Sequence, residues 1–385
     1  MPWEETFVMD EKVKLIADCL KKEYSITDLS RYYSVSRKTI YKWFNRYQTE
    51  GLEALEELPR TPHSHPATTS DEIADKIIKV KLKHETWGPK KVVAWLNNEY
   101  PEATWPVAST AAKILDREGL VKAKHKRHRV PPYTQPFESC EKPNDVWSID
   151  YKGQFKMGDR QLCYPFTVSD NFSRYLLLCR GLLHPNYEST QPWLEWVFRE
   201  YGLPNAIKSD NGEPFASVAV GGLTKLSIWM IKLGIIPERI EVGHPEQNGR
   251  HERMHKTLKA YAIHPPKANL RLQQRAFDCF TEEYDFVTPH EAHGMKPPAS
   301  CYVGSGKQFP GRLPQIDYSS EYEVRQVRSN GEIRWNGNLY YLCEALAGEP
   351  VGLKQISERY WEIRFSFHLL GYFDEITGKI YHGIN

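Results

Sequence analysis

Trp147-Ser148-Ile149-Asp150-Tyr151 is the stretch whose reading decides the fold. Trp147, Ile149 and Tyr151 alternate with Ser148, Asp150 and Lys152, the period of a strand with one apolar and one polar face. The spacing predicts a strand that carries an acid on its polar face. Ile207-Lys208-Ser209-Asp210-Asn211-Gly212 repeats the arrangement: a short strand over Ala206 to Ser209 is predicted, with Asp210 at its C-terminal end. Ligand sites of open α/β sheets gather at that end. Gln247-Asn248-Gly249-Arg250-His251-Glu252-Arg253 then leads into a long helix and supplies a third acid, Glu252. Carboxylates on a sheet and a neighbouring helix are how proteins hold paired divalent cations for phosphoryl transfer.

The surrounding pattern is that of an α/β unit. Leu162, Tyr164, Phe166 and Val168 alternate in a second strand, and Arg174 to Cys179 reads as a third. Ser189 is expected to cap a helix with Pro192 in its first turn and Trp193, Leu194, Val197 and Tyr201 on one face; Gly202 and Pro204 end it. A helix near 221–233, a strand over Ile235–Ile240 and a loop at His244–Gly249 follow. On the long helix Met254, Leu258, Tyr261 and Ala262 form the predicted apolar stripe, with Glu252 roughly opposite and Lys256 and Lys259 beside it at i+4 and i+7 as candidate DNA contacts. Any single Asp or Glu is ordinarily a solvated surface group, and Asp145, Asp170 and Glu213 are nearby alternatives. Three acids, each in its own local string, shift the reading towards a site.

Upstream, residues 11–57 read as helical. Val13, Ile16, Ala17 and Leu20 recur at helical spacing, and Ser25-Ile26-Thr27-Asp28 resembles a capping box with Asp in the Glu or Gln position. Ser36 can cap a third helix whose stripe is Ile40, Trp43, Phe44 and Tyr47, leaving Arg37, Lys38, Thr39, Lys42, Asn45 and Arg46 as candidate DNA contacts. Five basic residues and no acidic one lie between Arg31 and Thr49, as expected for a helix-turn-helix reading helix. Leu58–Pro66 holds three prolines and reads as a linker. A second helix-turn-helix, of winged type, is expected over 70–121: Ile73, Ile77, Ile78 and Val80 on its first helix, Gly88-Pro89 opening the second with Val92, Val93, Trp95 and Leu96, and Ala108 to Glu118 as the third, stopped by Gly119. Lys90 and Lys91 there are further candidate DNA contacts. Lys122 to Arg129 packs five permanent positive charges into eight residues. Between two DNA-handling units such a run is expected to track phosphates, through Lys124, Lys126, Arg127 and Arg129.

After residue 316 the chain reads as all-β. Tyr322 and Val324 alternate, Ser329-Asn330-Gly331 and Asn336-Gly337 are hairpin signals, and Leu339–Leu342 and Glu362–His368 supply strands, the latter with Ile363, Phe365 and Phe367 on one face. A small β-barrel is expected, with Arg325, Arg328 and Arg334 either meeting DNA or solvated.

Composition bounds these readings. The 385 residues suggest two to four domains, and 40 % hydrophobic residues suffice for real cores. A net charge of +2 gives no support to nucleic-acid binding, so local patches must carry it. The seven cysteines are scattered without CxxC spacing, which disfavours a disulfide framework and fits a reducing cytosol. No stretch reaches 18 apolar residues, so secretion and membrane spanning are both disfavoured.

Asp150 in WSIDYKG, Asp210 in SDNG and Glu252 in QNGRHER resemble the acidic core of DDE-class insertion-sequence transposases, related to retroviral integrases. Tyr284-Asp285-Phe286-Val287-Thr288-Pro289-His290-Glu291-Ala292-His293-Gly294, with Lys296-Pro297-Pro298 after it, resembles that family's downstream segment. The 41 residues between Asp210 and Glu252 are somewhat more than in many relatives, and an insertion around Val218–Leu223 could account for them. The resemblance implies a multidomain α/β chain. Its parts would be a helix-turn-helix (1–57), a linker (58–69), a second helix-turn-helix (70–121), a basic linker (122–142), a ribonuclease-H-like core (143–305) and a C-terminal small β-barrel (316–385). It also implies the reaction: water attacks at an element end to expose a 3′-hydroxyl, which then attacks target DNA. Asp150 and Asp210 would share ligation of Mg²⁺ or Mn²⁺ and Glu252 would complete a second metal position, two ions per site. Double-stranded DNA, both element ends and target, would be the partner. A dimer or higher oligomer would pair two ends, and the protein would be cytoplasmic and DNA-associated, of bacterial type.

Two rival readings stand. His251-Glu252-Arg253-Met254-His255 also matches the H-E-x-x-H helix of zinc proteases, with Glu282 or Glu283 as a third ligand. Against it, Arg253 puts a charge between the ligands, the helix has barely begun after Gly249, and the strings around Asp150 and Asp210 go unexplained. The other rival is a DNA-binding regulator without chemistry, which the intact acid set opposes.

Overall fold

The structure, a computed structural model, describes residues 8–56, 69–121, 140–210, 212, 214–215, 222–241 and 245–381. The chain falls into two units, residues 1–68 and 69–385. The first holds α1 (Val8–Lys21), α2 (Ile26–Tyr32) and α3 (Arg37–Glu50). Their core is Leu15, Ile16, Cys19, Leu29, Ile40, Trp43 and Leu55. The α1 stripe differs from the expected one. Leu15 and Cys19 face inward with Ile16, while Val13 and Leu20 are 38 % and 49 % exposed. Ser25 caps α2 through the Asp28 N–H, but only half a capping box forms. The Asp28 carboxylate, one methylene shorter than Glu, accepts from the Ser25 hydroxyl at 2.6 Å. Ser36 caps α3, accepting from the Thr39 N–H at 3.2 Å. Arg37, Lys38, Lys42 and Asn45 are exposed on α3; Thr39 bonds Ser36, and Arg46 stacks over Trp43 with 5.1 Å to the ring centroid. Ser36→Ala is expected to cost about 1 kcal/mol. Hydrogen exchange of the first α3 amides in the full chain checks this, and unchanged protection there would refute it.

The second unit begins with α4 (Asp71–Lys83), α5 (Pro89–Glu99) and α6 (Ala108–Arg117), packed around Ile77, Val92, Leu96, Ala111 and Leu115. Pro89 opens α5, where its missing N–H costs nothing. Gly119 takes φ +67° just past α6. The basic run with Lys124, Lys126, Arg127 and Arg129, the place for a wing, and the prolines of 58–66 lie outside the described residues.

A mixed sheet follows: β1 (Val146–Tyr151), β2 (Phe155–Lys156), β3 (Leu162–Asp170), β4 (Leu176–Leu182), β5 (Ala206–Ser209) and β6 (Ile236–Arg239). The order is β2-β3-β1-β5-β6, with β4 also on β3. β1 and β3 are antiparallel, while β1, β5 and β6 run parallel. Around the sheet lie α7 (Tyr187–Tyr201), α8 (Lys225–Lys232), α9 (Gly249–Leu258) and α10 (Leu270–Glu282). Trp147, Ile149, Phe166, Val168 and Ile207 face α7 and α8 in one core. The other face meets α9 and α10 through Cys163, Cys179, Met254, Leu258 and Phe277. Gln274 of α10 covers the β4 edge, accepting from the Gly181 N–H and donating to the Cys179 carbonyl, both at 2.9 Å.

Several boundaries differ from expectation. The third strand runs Leu176–Leu182, later than Arg174 to Cys179, because Arg174 takes φ +65° in the preceding turn. Asn186, not Ser189, caps α7, its side chain accepting from the Ser189 N–H, so the helix starts earlier and Pro192 lies in its interior. A π-helical turn, Lys259–Ile263, extends α9 and shifts its face by one residue, burying Ile263 and leaving Tyr261 39 % exposed.

The tail is β7 (Glu323–Gln326), β8 (Glu332–Trp335), β9 (Asn338–Tyr341), β10 (Pro350–Gln355), β11 (Tyr360–Phe365), β12 (His368–Asp374) and β13 (Lys379–Tyr381). The expected barrel is not closed. Five strands run β13-β12-β11-β10-β7 and β8-β9 form a separate ribbon. Closure is not needed to bury the apolar face, since Ile228 and Ile231 of α8 join Leu353, Ile363, Phe365 and Phe373 in one core. Asn336 and Gly337 turn the ribbon with φ +46° and +84°. Glu362–His368 is not one strand. Ser366 at φ +52° turns the chain between β11 and β12 and leaves Phe367 41 % exposed. Arg325 is occupied by Glu323 and by the Trp335 ring, while Arg328 and Arg334 are exposed.

Candidate active site

The strand alternation that buries Trp147 and Ile149 turns Ser148 and Asp150 to the opposite face, towards α9. On β3 the same face carries Ser169 and Thr167, paired with Ser148 and Asp150. On β5 it carries Lys208, which donates to the Gln247 carbonyl at 2.9 Å. β1 and β5 run in parallel register, Ser148 opposite Lys208. Two residues further on, Asp150 and Asp210 stand at matching positions of neighbouring strands, whose spacing is about 4.8 Å. Asp210 is one residue past β5, and its Oδ1 accepts from the Gly212 N–H at 3.1 Å.

Glu252 sits in the first turn of α9 and is exposed. Its neighbours His251 and His255, one helical turn apart, face the sheet and are buried. Thr167 Oγ1 lies 2.8 Å from His251 Nε2 and 2.7 Å from His255 Nε2, and 3.1 Å from the Asp150 carbonyl, to which it donates. A hydroxyl has one hydrogen. Donating it to Asp150 leaves Thr167 accepting from both imidazoles, so both are protonated on Nε2. His251 Nδ1 then accepts from Ser169 Oγ at 2.8 Å. His255 Nδ1 faces Asp150 Oδ2 at 3.6 Å. Burial holds both imidazoles neutral, His251 down to about 3 and His255 lower still. This bridge fixes the start of α9, and with it Glu252, against the strand that bears Asp150.

The Asp150 carboxyl is pushed up to about 7, by burial first, then by Asp210, with Glu252 a smaller contributor. The three acids are thus close enough to be felt at one carboxylate. The donor set fits a hard divalent cation, which prefers oxygen and would offset crowded negative charge. Asp145 and Asp170 are already engaged. Asp145 accepts from the Glu141 and Lys142 N–H groups and from Asn205, and Asp170 from the Asn144 and Ser173 N–H groups and the Ser173 hydroxyl. Glu213 lies outside the described residues.

The histidines of the H-E-x-x-H string do not assemble the protease arrangement. Glu283 lies 2.8 Å from His84, and Glu282 is exposed. The group that does gather, Asp150 with His251 and His255, has one possible ligand atom from each within 4.8 Å. Three of its four ring nitrogens are already held by hydroxyls. Of the expected DNA contacts, Lys256 and Lys259 are exposed beside Glu252, Lys90 pairs with Glu291 at 3.1 Å, and Lys91 is half-buried. Sequence reading missed Thr167, Ser169 and the inward role of the two histidines. Their spacing of four was visible, but only the fold brings the β3 hydroxyls beneath them.

Two integrase core domain families match, over residues 141–245 and 233–298, and two homeodomain-like domain families match residues 9–56 and 39–115. An "Insertion element IS476 uncharacterized 39.2 kDa protein" of Xanthomonas euvesicatoria is 22 % identical over 71 % of this chain and 72 % of its own. An "Insertion element IS407 uncharacterized 31.7 kDa protein" of Burkholderia multivorans is 22 % identical over 59 % of this chain and 79 % of its own. Among solved structures, a simian T-cell lymphotropic virus intasome chain aligns with a TM-score of 0.38 at 14 % identity, covering 76 % of this chain and 97 % of that one. The HTLV-2 integrase catalytic core domain in complex with magnesium aligns with a TM-score of 0.33 at 16 % identity, covering 42 % and 99 %. The matched domains define an integrase-core protein with homeodomain-like domains in front. Within that class, the curated relatives it resembles are insertion-element proteins.

Proposed function

We propose that this protein is a DNA transposase, a polynucleotidyl transferase that binds element ends, cleaves to expose 3′-hydroxyls and joins them to target DNA. The observation that carries the reading is the parallel pairing of β1 and β5 up to Ser148 and Lys208, with Asp150 and Asp210 each two residues further along the chain and the Asp150 carboxyl raised by burial and by its acidic neighbours. Asp150, Asp210 and Glu252 would hold Mg²⁺ or Mn²⁺, two ions per site. When bound, the cations would activate the attacking oxygen and stabilise the leaving one. The protein's own part is positional. β1 and β5 would carry two of the carboxylates on neighbouring strands, the Thr167 bridge to His251 and His255 would hold the helix that bears the third, and Lys256 and Lys259 would offer phosphate contacts next to Glu252. Arg37, Lys38, Lys42 and Asn45 on α3 are the proposed base and backbone contacts of the first homeodomain-like unit, with Thr39 and Arg46 beside them.

The six-part division drawn from the sequence is proposed along with this function, as are pairing of protomers on two DNA ends and a cytoplasmic, DNA-associated location. No helix among the described residues is long and apolar enough to cross a membrane.

A strand-transfer assay with a duplex carrying the element's own end tests the reading. Joining is expected with Mg²⁺ and lost in EDTA, and lost with Asp210→Asn or Glu252→Gln while duplex binding persists. Undiminished joining by those variants would overturn it.

A further inference from the structure

We infer that Arg174, Lys91, Arg250, His290 and His293 form a seat for one backbone phosphate of duplex DNA, separate from the three acids. The inference rests on the DNA-handling reading above and joins Lys91, already a candidate contact, to four residues that reading does not contain.

Arg174 lies in the turn between β3 and β4. Its Nη1 is buried and has no hydrogen-bond partner among the described residues. The acid at the start of that turn, Asp170, is spent on the Asn144 and Ser173 groups. Two other elements close on the same turn. Arg250, in the first turn of α9, donates from Nη1 to the Asn171 carbonyl at 3.2 Å. The His293 ring lies 6.4 Å from the Phe172 ring. His290 stands edge-on to Tyr284 at 4.8 Å. The Nε2 atoms of His290 and His293 are likewise buried and lack partners among the described residues. Lys91 comes from the first turn of α5. Its neighbour Lys90 takes Glu291, while Lys91 is half-buried and makes no ion pair among the described residues.

The groups feel one another. Burial and then Arg250 lower Arg174 to about 10. Burial, then Lys91, His293 and Arg174, lower His290 to about 3. Burial lowers Lys91, with Glu291 opposing and Arg253 adding to the effect.

Buried donors without partners, set beside cations that repel each other, are costly unless an anion completes them. A phosphate does this well: its oxygens accept from a guanidinium fork and carry the missing charge. In an integrase-core chain with homeodomain-like domains, a duplex offers that chemistry at every nucleotide. The turn sits at the Asp170 end of β3, opposite Trp147 of β1. That is three residues, roughly 10 Å, from Asp150 along the strand. A duplex lying along α9 could reach both places.

The test uses the full chain without divalent cations. Melting is compared in sodium phosphate and in sodium chloride of equal ionic strength. Phosphate is expected to raise the wild-type Tm and to leave Arg174→Met and Lys91→Met unmoved. Duplex affinity is then measured against salt. The slope of log K on log salt is expected to fall by about one in Lys91→Met and in Arg250→Gln. If Arg174→Met does not fold, the other two variants carry the test. Equal phosphate stabilisation of wild type and variants overturns the seat. Stabilisation lost in the variants with unchanged slopes overturns the DNA assignment in favour of a free phosphate or another phosphorylated ligand. Asp150→Asn separates this proposal from the transposase reading. It is expected to lose joining and keep both the phosphate effect and the slope. A wild-type protein that never joins DNA yet shows both would sink the transposase reading and leave the seat standing.

Discussion

At pH 8 without divalent cations, Asp150→Asn is expected to be more stable than the wild type and inactive in joining. The two effects have one cause. The Asp150 carboxyl is raised from 3.8 to about 7 by burial and by Asp210. A group whose folded pKa is raised holds its proton more tightly in the folded state. Its contribution to stability is therefore present below pH 4 and lost as pH climbs from about 4 to 7. Above that range the ionised, buried carboxylate costs on the order of 4 kcal/mol. Asn removes that charge and can offer an N–H to the bare Nδ1 of His255. Joining is expected to fall by roughly 10³-fold or more, since several kcal/mol of transition-state stabilisation are at stake. Chemical denaturation at pH 5 and pH 8 checks the stability half: the gap between the proteins should widen with pH and close when Mg²⁺ is added. A gap independent of pH would remove Asp150 from the acidic cluster. The same linkage makes Mg²⁺ or Mn²⁺ affinity rise as pH increases through about 7. Isothermal titration across that range reads it directly, and flat affinity would argue against Asp150 as a ligand.

Thr167→Val is expected to do large structural damage. Valine keeps the shape and removes the oxygen that two buried imidazoles share. Each stranded N–H costs about 1–3 kcal/mol, so a loss of about 2–5 kcal/mol is expected. The Asp150 carbonyl also loses its donor. With the anchor gone, the start of α9 is no longer pinned to β3, and Glu252 moves with it. Joining should fall further than the fraction folded explains. Thr167→Ser, which restores the hydroxyl, is expected to recover most of both. Denaturant unfolding read beside joining at full folding decides it. A Val variant as stable and active as wild type would show that the bridge positions nothing.

Much of this was legible in the chain itself. The alternation around Asp150, the apolar faces and the Ser36 cap are local patterns, set by side-chain period and by what a helix end requires. They were enough to draw a mixed α/β core, helical units in front and strands behind. The misread boundaries are also local: Asn186 outcompeted Ser189 as a cap, and Ser366 turned the chain with no glycine or asparagine to announce it.

The proposed acids come from separate strings, and spacing cannot bring them together: 59 residues (151–209) separate Asp150 from Asp210, and it is strand pairing that sets Ser148 beside Lys208, two residues before each. The double histidine was ambiguous for the same reason. An imidazole is a metal ligand or a hydrogen-bond bridge according to what stands opposite, and β3 put hydroxyls there. The barrel failed to close because α8, a core helix distant in sequence, covers the apolar face of the tail. Periodicity is a property of neighbours along the chain, so the sequence alone determined which elements form and which faces bury. Burial partners, shared charge and unmatched donors depend on groups far apart in the chain, so only the tertiary structure decided them.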